Sequence, residues 1–164
     1  MLFRSEKKMA DYLLVIDMQS DYVAAGKAYD SEALTAAVND KIASYSRDHV
    51  IYIVNRFFWE LTRKPKNFAI GLSLVSDRVF EKRQASCFTN QNLTRFLEES
   101  GAESLEFIGV DGNGCVNASI LAAAHKGYQV SVDLSYLGVI NKEKFQKTLQ
   151  QWQIAGIVTR GELP

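Results

Sequence analysis

The chain has few of the residues from which metal sites and disulfide frameworks are built. Among its 164 residues there are two histidines and two cysteines. His49 and His125 stand far apart, which argues against a histidine-based metal site. Two cysteines without an extracellular signal fit a reducing cytoplasm better than a disulfide scaffold. The opening segment, MLFRSEKKMADY, lacks the apolar core of a signal peptide. No apolar run approaches the ~18 residues of a membrane-spanning helix. Neither sign of charge is in excess: 19 Lys+Arg balance 19 Asp+Glu. That balance removes the electrostatic reason to expect nucleic acid or an anionic membrane as a partner. Prolines number only two, and no repeat, low-complexity stretch or linker interrupts the chain.

What is present is a hydrophobic content of 47%, enough for one domain with a buried core. The expectation is a single domain over 1–164, with 1–10 as a flexible extension. Five apolar runs are rich in β-branched residues: 12–17, 50–54, 105–110, 128–132 and 155–159. Most are continuous rather than alternating, as in strands buried on both faces of a parallel sheet. Helical patterns lie between them at 31–46, 90–99, 115–126 and 141–152, with Gly101 and Gly127 where helices end. The alternation predicts a three-layer, doubly wound α/β fold of the Rossmann-like kind with a mostly parallel sheet. Residues 56–80 break the pattern. So long an aperiodic connection in a compact domain is usually functional.

In open α/β sheets, ligands bind beyond the carboxyl ends of the strands. Three reactive residues end apolar runs. Asp17 closes YLLVID, Lys82 follows RVFE, and Cys115 lies just past FIGV and a Gly112-Asn113-Gly114 turn. A thiol at a helix N-terminus, beside an ammonium, is expected to be drawn toward the thiolate. Asp17 could accept the thiol proton and return it to a leaving amine. Backbone N–H groups of the turn could receive an oxyanion. The set suits acyl transfer from an amide. Each residue also has a plain reading. Asp17 could be a turn residue or helix cap, Lys82 a solvated charge, and Cys115 a small apolar filler.

The three motifs together resemble the isochorismatase-like cysteine hydrolases, a family that includes nicotinamidases, N-carbamoyl amidases and isochorismatases. LLVIDMQSDY is similar to the family's opening strand and acid motif, FEKRQASCF to its lysine motif, and FIGVDGNGCVNASILAAAHKGYQVSVDLS to its longest signature. The resemblance implies Cys115 as nucleophile, Asp17 as general base and Lys82 as the supporting charge. It also implies a cis peptide at Val110–Asp111, with the Asp111 and Cys115 N–H groups forming the oxyanion hole. By position, Gln19 would touch Lys82 or substrate. Arg56 would hold a substrate carboxylate, and Phe57, Phe58 and Trp59 would stack on a flat substrate; core or interface packing is the alternative for the aromatics.

Two departures stand out. Nicotinamidases carry an Asp-x-His and a further His after the second strand, and here NRFFWELTRK has neither, so no metal and no cofactor are expected. The usual Thr-Asp before the cysteine is replaced by a turn with two glycines, which predicts a looser turn. Arg63, Lys64 and Lys66 read as an attractor for an anionic substrate or as a solvated loop. Cys87 reads as a buried apolar filler, and Tyr136 and Leu137 as a far wall of the pocket. The expected activity is metal-independent hydrolysis of a small amide or carbamoyl C–N bond. A vinyl ether hydrolase of the isochorismatase kind, in which the thiol is dispensable, and a non-catalytic binding or scaffold domain remain as alternatives. The expected partners are a small-molecule substrate and further copies of the chain, as a dimer or tetramer, in the cytoplasm.

Overall fold

The computed structural model describes residues 9–30 and 32–164. The expected N-terminal extension falls largely on residues 1–8, outside the described residues. Among these residues seven strands form one sheet: β1 (Tyr12–Ile16), β2 (Val50–Asn55), β3 (Val79–Lys82), β4 (Ser104–Val110), β5 (Gln129–Asp133), β6 (Leu137–Gly138) and β7 (Val158–Arg160). Among the described residues four α-helices lie between them: α1 (Glu32–Ala43), α2 (Gln91–Glu99), α3 (Cys115–His125) and α4 (Lys142–Ile154). The strand order is β3-β2-β1-β4-β5-β7, and β6 lies beside β4 beyond the end of β5. Every strand pairing in this sheet is parallel. The architecture is the expected three-layer α/β fold.

Continuous apolar strands make sense once both faces are seen. Leu14 and Ile16 of β1, with Ile51, Ile53, Leu105 and Phe107, pack beneath α2, α3 and α4. Leu13 and Val15, with Tyr52, Ile108 and Val110, face the other way, toward Leu34, Val38 and Ile42 of α1. The aperiodic segment after β2 covers the rest of that second face. Ala69 and Leu72 are buried there, and the Tyr52 hydroxyl donates to the Ser73 carbonyl. The segment has no helical or strand period because it is a covering strap, held by side-chain bonds.

Three strands depart from expectation, and the first is β3, which begins at Val79 within the stretch read as aperiodic. The run 155–159 is not a strand from its start. Helix α4 continues to Ile154, Gly156 takes a φ of +76°, and the Ile157 N–H closes back on the Trp152 carbonyl. This helix end absorbs three residues, so β7 begins at Val158. The two-residue β6 is too short to carry a periodic signal. It forms because the turn after Asp133 swings the chain back to β4, pairing Leu137 with Gly109. Leu137 is buried in that pairing, and Tyr136 lies under the Lys41 ammonium.

Candidate active site

The carboxyl ends of β1, β3 and β4 converge on one point. Asp17 directly follows β1, in the left-handed region at φ +53°, a rare conformation for a non-glycine residue. Lys82 is the last residue of β3 and Cys115 the first of α3. The Lys82 ammonium donates to Asp17 Oδ2 at 3.1 Å, to Asn55 Oδ1 at 3.1 Å and to Cys115 Sγ at 3.2 Å. Lys82 and Asp17 are buried, 2% and 1% exposed, while Cys115 is half-buried. A buried lysine is tolerable only with such partners. The reading of Lys82 as a solvated charge is therefore excluded.

Electrostatics corrects one expectation. Burial pushes the Asp17 carboxyl upward, and the Lys82 charge and the Cys115 thiol offset this only in part. Burial and then the Asp17 charge push the Cys115 thiol up to about 11, against the opposing pull of Lys82. The thiol is thus not drawn to the thiolate at rest, because desolvation outweighs the ammonium. Asp17 becomes a stronger base for the same reason. Its Oδ1 is buried and meets no hydrogen-bond donor at full geometry.

The turn before Cys115 is tightly tied rather than loose. The Val110–Asp111 peptide is cis. The Asp111 carbonyl accepts from the Gly114 and Val116 N–H groups, and Gly112 N–H donates to Gly138 O. The Asp111 carboxylate accepts from Tyr29 Oη, from the Asn113 N–H and from the Ile140 N–H. Gly112 is there for space: a Cβ would stand 2.7 Å from Val139 Cγ2. No side chain caps α3 at Gly114. Among the described residues, no protein acceptor takes the Asp111 or Cys115 backbone N–H.

Gln19 and Arg56 are not positioned as expected. The Gln19 amide accepts from the Asn55 N–H at 2.7 Å and donates to the Asn55 carbonyl at 2.9 Å and to Asp21 at 2.7 Å. Its hydrogen bonds lock the ends of β1 and β2, and the Lys82 ammonium donates to other residues. Arg56 is 2% exposed. Its guanidinium binds Glu81 at 2.8 Å, the Thr62 carbonyl at 2.7 Å and the Lys64 carbonyl. It anchors the strap instead of a substrate carboxylate. Lys66 is neither a free attractor nor solvated, since it pairs with Asp21 and Glu60.

The aromatics lie outside the core. Phe57 and Trp59 stack at 4.4 Å, and Phe58 and Trp59 are 78% and 61% exposed. Phe57 meets Tyr22 edge-on. Tyr22, missed in the sequence, accepts from Asn55 Nδ2 at 3.0 Å. Burial lifts its hydroxyl to about 12, with contributions from the charges of Asp17 and Cys115. Tyr29 and Asn55 were also missed. Asn55 was detectable as the polar residue ending β2. Cys87 is fully buried and unpaired, as expected, and burial drives its thiol to about 12.

The residues after β2 do not fit a metal centre. Arg56 is a cation committed to Glu81 and two carbonyls, Asp21 and Glu60 already grip Lys66, and His49 and His125 lie elsewhere. Among the described residues, no group of three or more His, Cys, Asp or Glu is placed to hold a metal ion. Among them also, no helix is long and apolar enough to cross a membrane.

A fold of this kind with Asp, Lys and Cys at three strand ends defines a class, and comparison with known proteins agrees. The Isochorismatase domain family matches residues 11–161, and the chain belongs to that family. It is 30% identical over 135 residues to an uncharacterised isochorismatase family protein of Bacillus subtilis, YddQ, covering 76% of this chain and 75% of that one. The fold is similar to that of a pyrazinamidase of Pyrococcus horikoshii solved in complex with zinc. The TM-score is 0.74 at 19% identity, over 93% of this chain and 99% of that one. An N-carbamoylsarcosine amidase from Thermoplasma acidophilum has a TM-score of 0.76 at 17% identity, over 93% and 96% of the two chains.

Proposed function

We propose that the chain hydrolyses the C–N bond of a small amide or carbamoyl compound through a thioester on Cys115. One observation carries the reading: a buried ammonium that joins a carboxylate and a thiol. An inert core has no use for that arrangement, since the desolvation of Lys82 and Asp17 opposes folding unless their charges are put to work. The similar structures named as pyrazinamidase and N-carbamoylsarcosine amidase point to small amides as the substrate class.

In this reading the sulfur attacks the acyl carbon while Asp17 takes the thiol proton. The proton transfer is favoured because Asp17 is held above the ordinary carboxylate range. The carbonyl oxygen gains the electron pair and meets the Asp111 and Cys115 N–H groups, at the positive end of α3. Collapse breaks the C–N bond, and Asp17 gives its proton to the departing nitrogen. Water then attacks the thioester, with Asp17 as base, and the acid and the free thiol are restored. Lys82 keeps Asp17 and the sulfur in register throughout. The exposed Phe57–Trp59 stack beside Tyr22 offers a flat wall for the acyl part. Arg56 is buried, and each of its three guanidinium nitrogens already donates to Glu81 or to a carbonyl of the strap, so the reading assigns it no part in holding an anionic acyl group.

The test is ammonia release from a panel of primary amides. The wild type turns over at least one member, and Cys115→Ser loses at least about a thousandfold while keeping its fold. Turnover retained in Cys115→Ser would overturn the covalent route.

A further inference from the structure

We infer that Lys66 is a positioning residue that couples the aromatic wall of the site to the seat of Lys82. The inference rests on the catalytic reading above but uses different residues. Lys66 lies on the strap, away from Cys115 in sequence and without a bond to any of the three strand-end residues. Its side chain is only 9% exposed, yet it carries a full charge. Burial alone would lower its ammonium, but the bonds to Glu60 and Asp21 outweigh burial and hold it above the ordinary lysine value.

Two arms leave this ammonium. One goes to Glu60 Oε1 at 2.5 Å. The other oxygen of Glu60 accepts from the Phe57 N–H at 2.6 Å, and the Glu60 N–H returns to the Phe57 carbonyl. That closed turn presents the Phe57–Trp59 stack. The second arm goes to Asp21 Oδ1 at 3.1 Å. Asp21 Oδ2 accepts from Gln19 Nε2 at 2.7 Å, which fixes which way the Gln19 amide faces. Gln19 then grips both the N–H and the carbonyl of Asn55. The Asn55 side chain receives the Lys82 ammonium at 3.1 Å. From Lys66 to Lys82 the path is continuous, and each link is a direct hydrogen bond.

The chemistry explains why a lysine serves here. Asp21 and Glu60 would repel each other without a cation between them. A protein-borne ammonium supplies that charge permanently, with three donors for two acceptors. The consequence is that one residue bears both on the aromatic stack and on Asn55, one of the three acceptors of Lys82.

The experiment reads the thiol directly. Iodoacetamide is reacted with the full chain from pH 7 to 10, and Cys115 is followed apart from Cys87 by peptide mass. Losing the relay unseats Lys82, which favours the thiolate, so Lys66→Met slows Cys115 alkylation about fivefold at a given pH and moves its profile to higher pH. Asp21→Asn, which keeps the side-chain volume and breaks only the second arm, does the same and supplies the test if Lys66→Met fails to fold. Lys66→Arg restores most of the rate, because a guanidinium can reach both carboxylates. Wild-type alkylation profiles in Lys66→Met or in Asp21→Asn would overturn the coupling. So would failure of the arginine variant to recover. The catalytic reading fails by a different result, turnover that survives Cys115→Ser, and the alkylation profiles stand apart from it.

Discussion

The Lys82 ammonium and the Asp17 carboxylate meet at 3.1 Å where neither side chain reaches solvent. The pair sits at the carboxyl edge of the sheet, one strand apart from each other across β2. Removing one partner leaves the other as an uncompensated buried charge. Lys82→Met is expected to destabilise the fold by about 3–5 kcal/mol and to abolish turnover. Urea unfolding at neutral pH measures the first effect. A variant as stable as the wild type would show that the pair is not buried in solution.

Cys115 provides a pH signature. Its thiol is lifted from 9.0 to about 11, by burial first and the Asp17 charge second. Between those values the folded chain keeps a proton that the unfolded chain has released. The thiol's contribution to stability is therefore complete below pH 9 and is lost as pH rises toward 11. Cys115→Ala removes this part of the dependence, so its urea midpoint falls less steeply than that of the wild type across the window. Cys87, raised by burial to about 12, keeps its own slope in the variant. Equal slopes in the two proteins would contradict the assignment.

Gly109 is required by the close approach of β4 to β1. It has a φ of +112°, and a Cβ there would stand 2.1 Å from the Ile16 carbonyl oxygen. That oxygen belongs to backbone and cannot swing aside. Gly109→Ala combines a strained backbone with an overpacked strand pair, for a cost of about 3 kcal/mol or more. The expected outcome is poor soluble yield or a lowered unfolding midpoint; a wild-type midpoint would rule out this packing.

Arg56 holds the strap, so its loss acts on the segment it binds. Arg56→Met frees the carbonyls of Thr62 and Lys64 and leaves Glu81 without its partner. Limited proteolysis should cut faster within 57–66 than in the wild type, by about tenfold if the three bonds together contribute about 1.4 kcal/mol to closing the strap. Lys should not rescue, since one ammonium cannot span three acceptors laid out for a planar fork.

These contrasts show what could be read in the sequence. Asp17, Lys82 and Cys115 stood out together because each follows an apolar run and lies in a motif that resembles one family's, although each alone has a plain reading; the structure joins the three side chains through the Lys82 ammonium. Asn55 likewise follows an apolar run, lying one residue past its end at Val54. Arg56 was misread because a charge at a strand end looks ligand-directed, and its real partners are two backbone carbonyls and Glu81. Tyr22 and Tyr29 come from an aperiodic loop whose path depends on tertiary bonds to Asn55 and Asp111. The extra strand β6 and the late start of β7 depend on turn geometry that hydrophobic pattern does not encode. The glycines before Cys115 suggested looseness, whereas packing against Val139 and the Asp111 bonds make the turn firm.

The central claim is that the Cys115 sulfur becomes acylated. The direct measurement is rapid acid quench of the enzyme during turnover of an amide found in the ammonia assay, followed by intact and peptide mass. The account predicts a mass increase equal to the acyl group, confined to the peptide that carries Cys115 and removed by hydroxylamine. Steady turnover with no adduct on Cys115 at any quench time, together with full activity of Cys115→Ala, would contradict it.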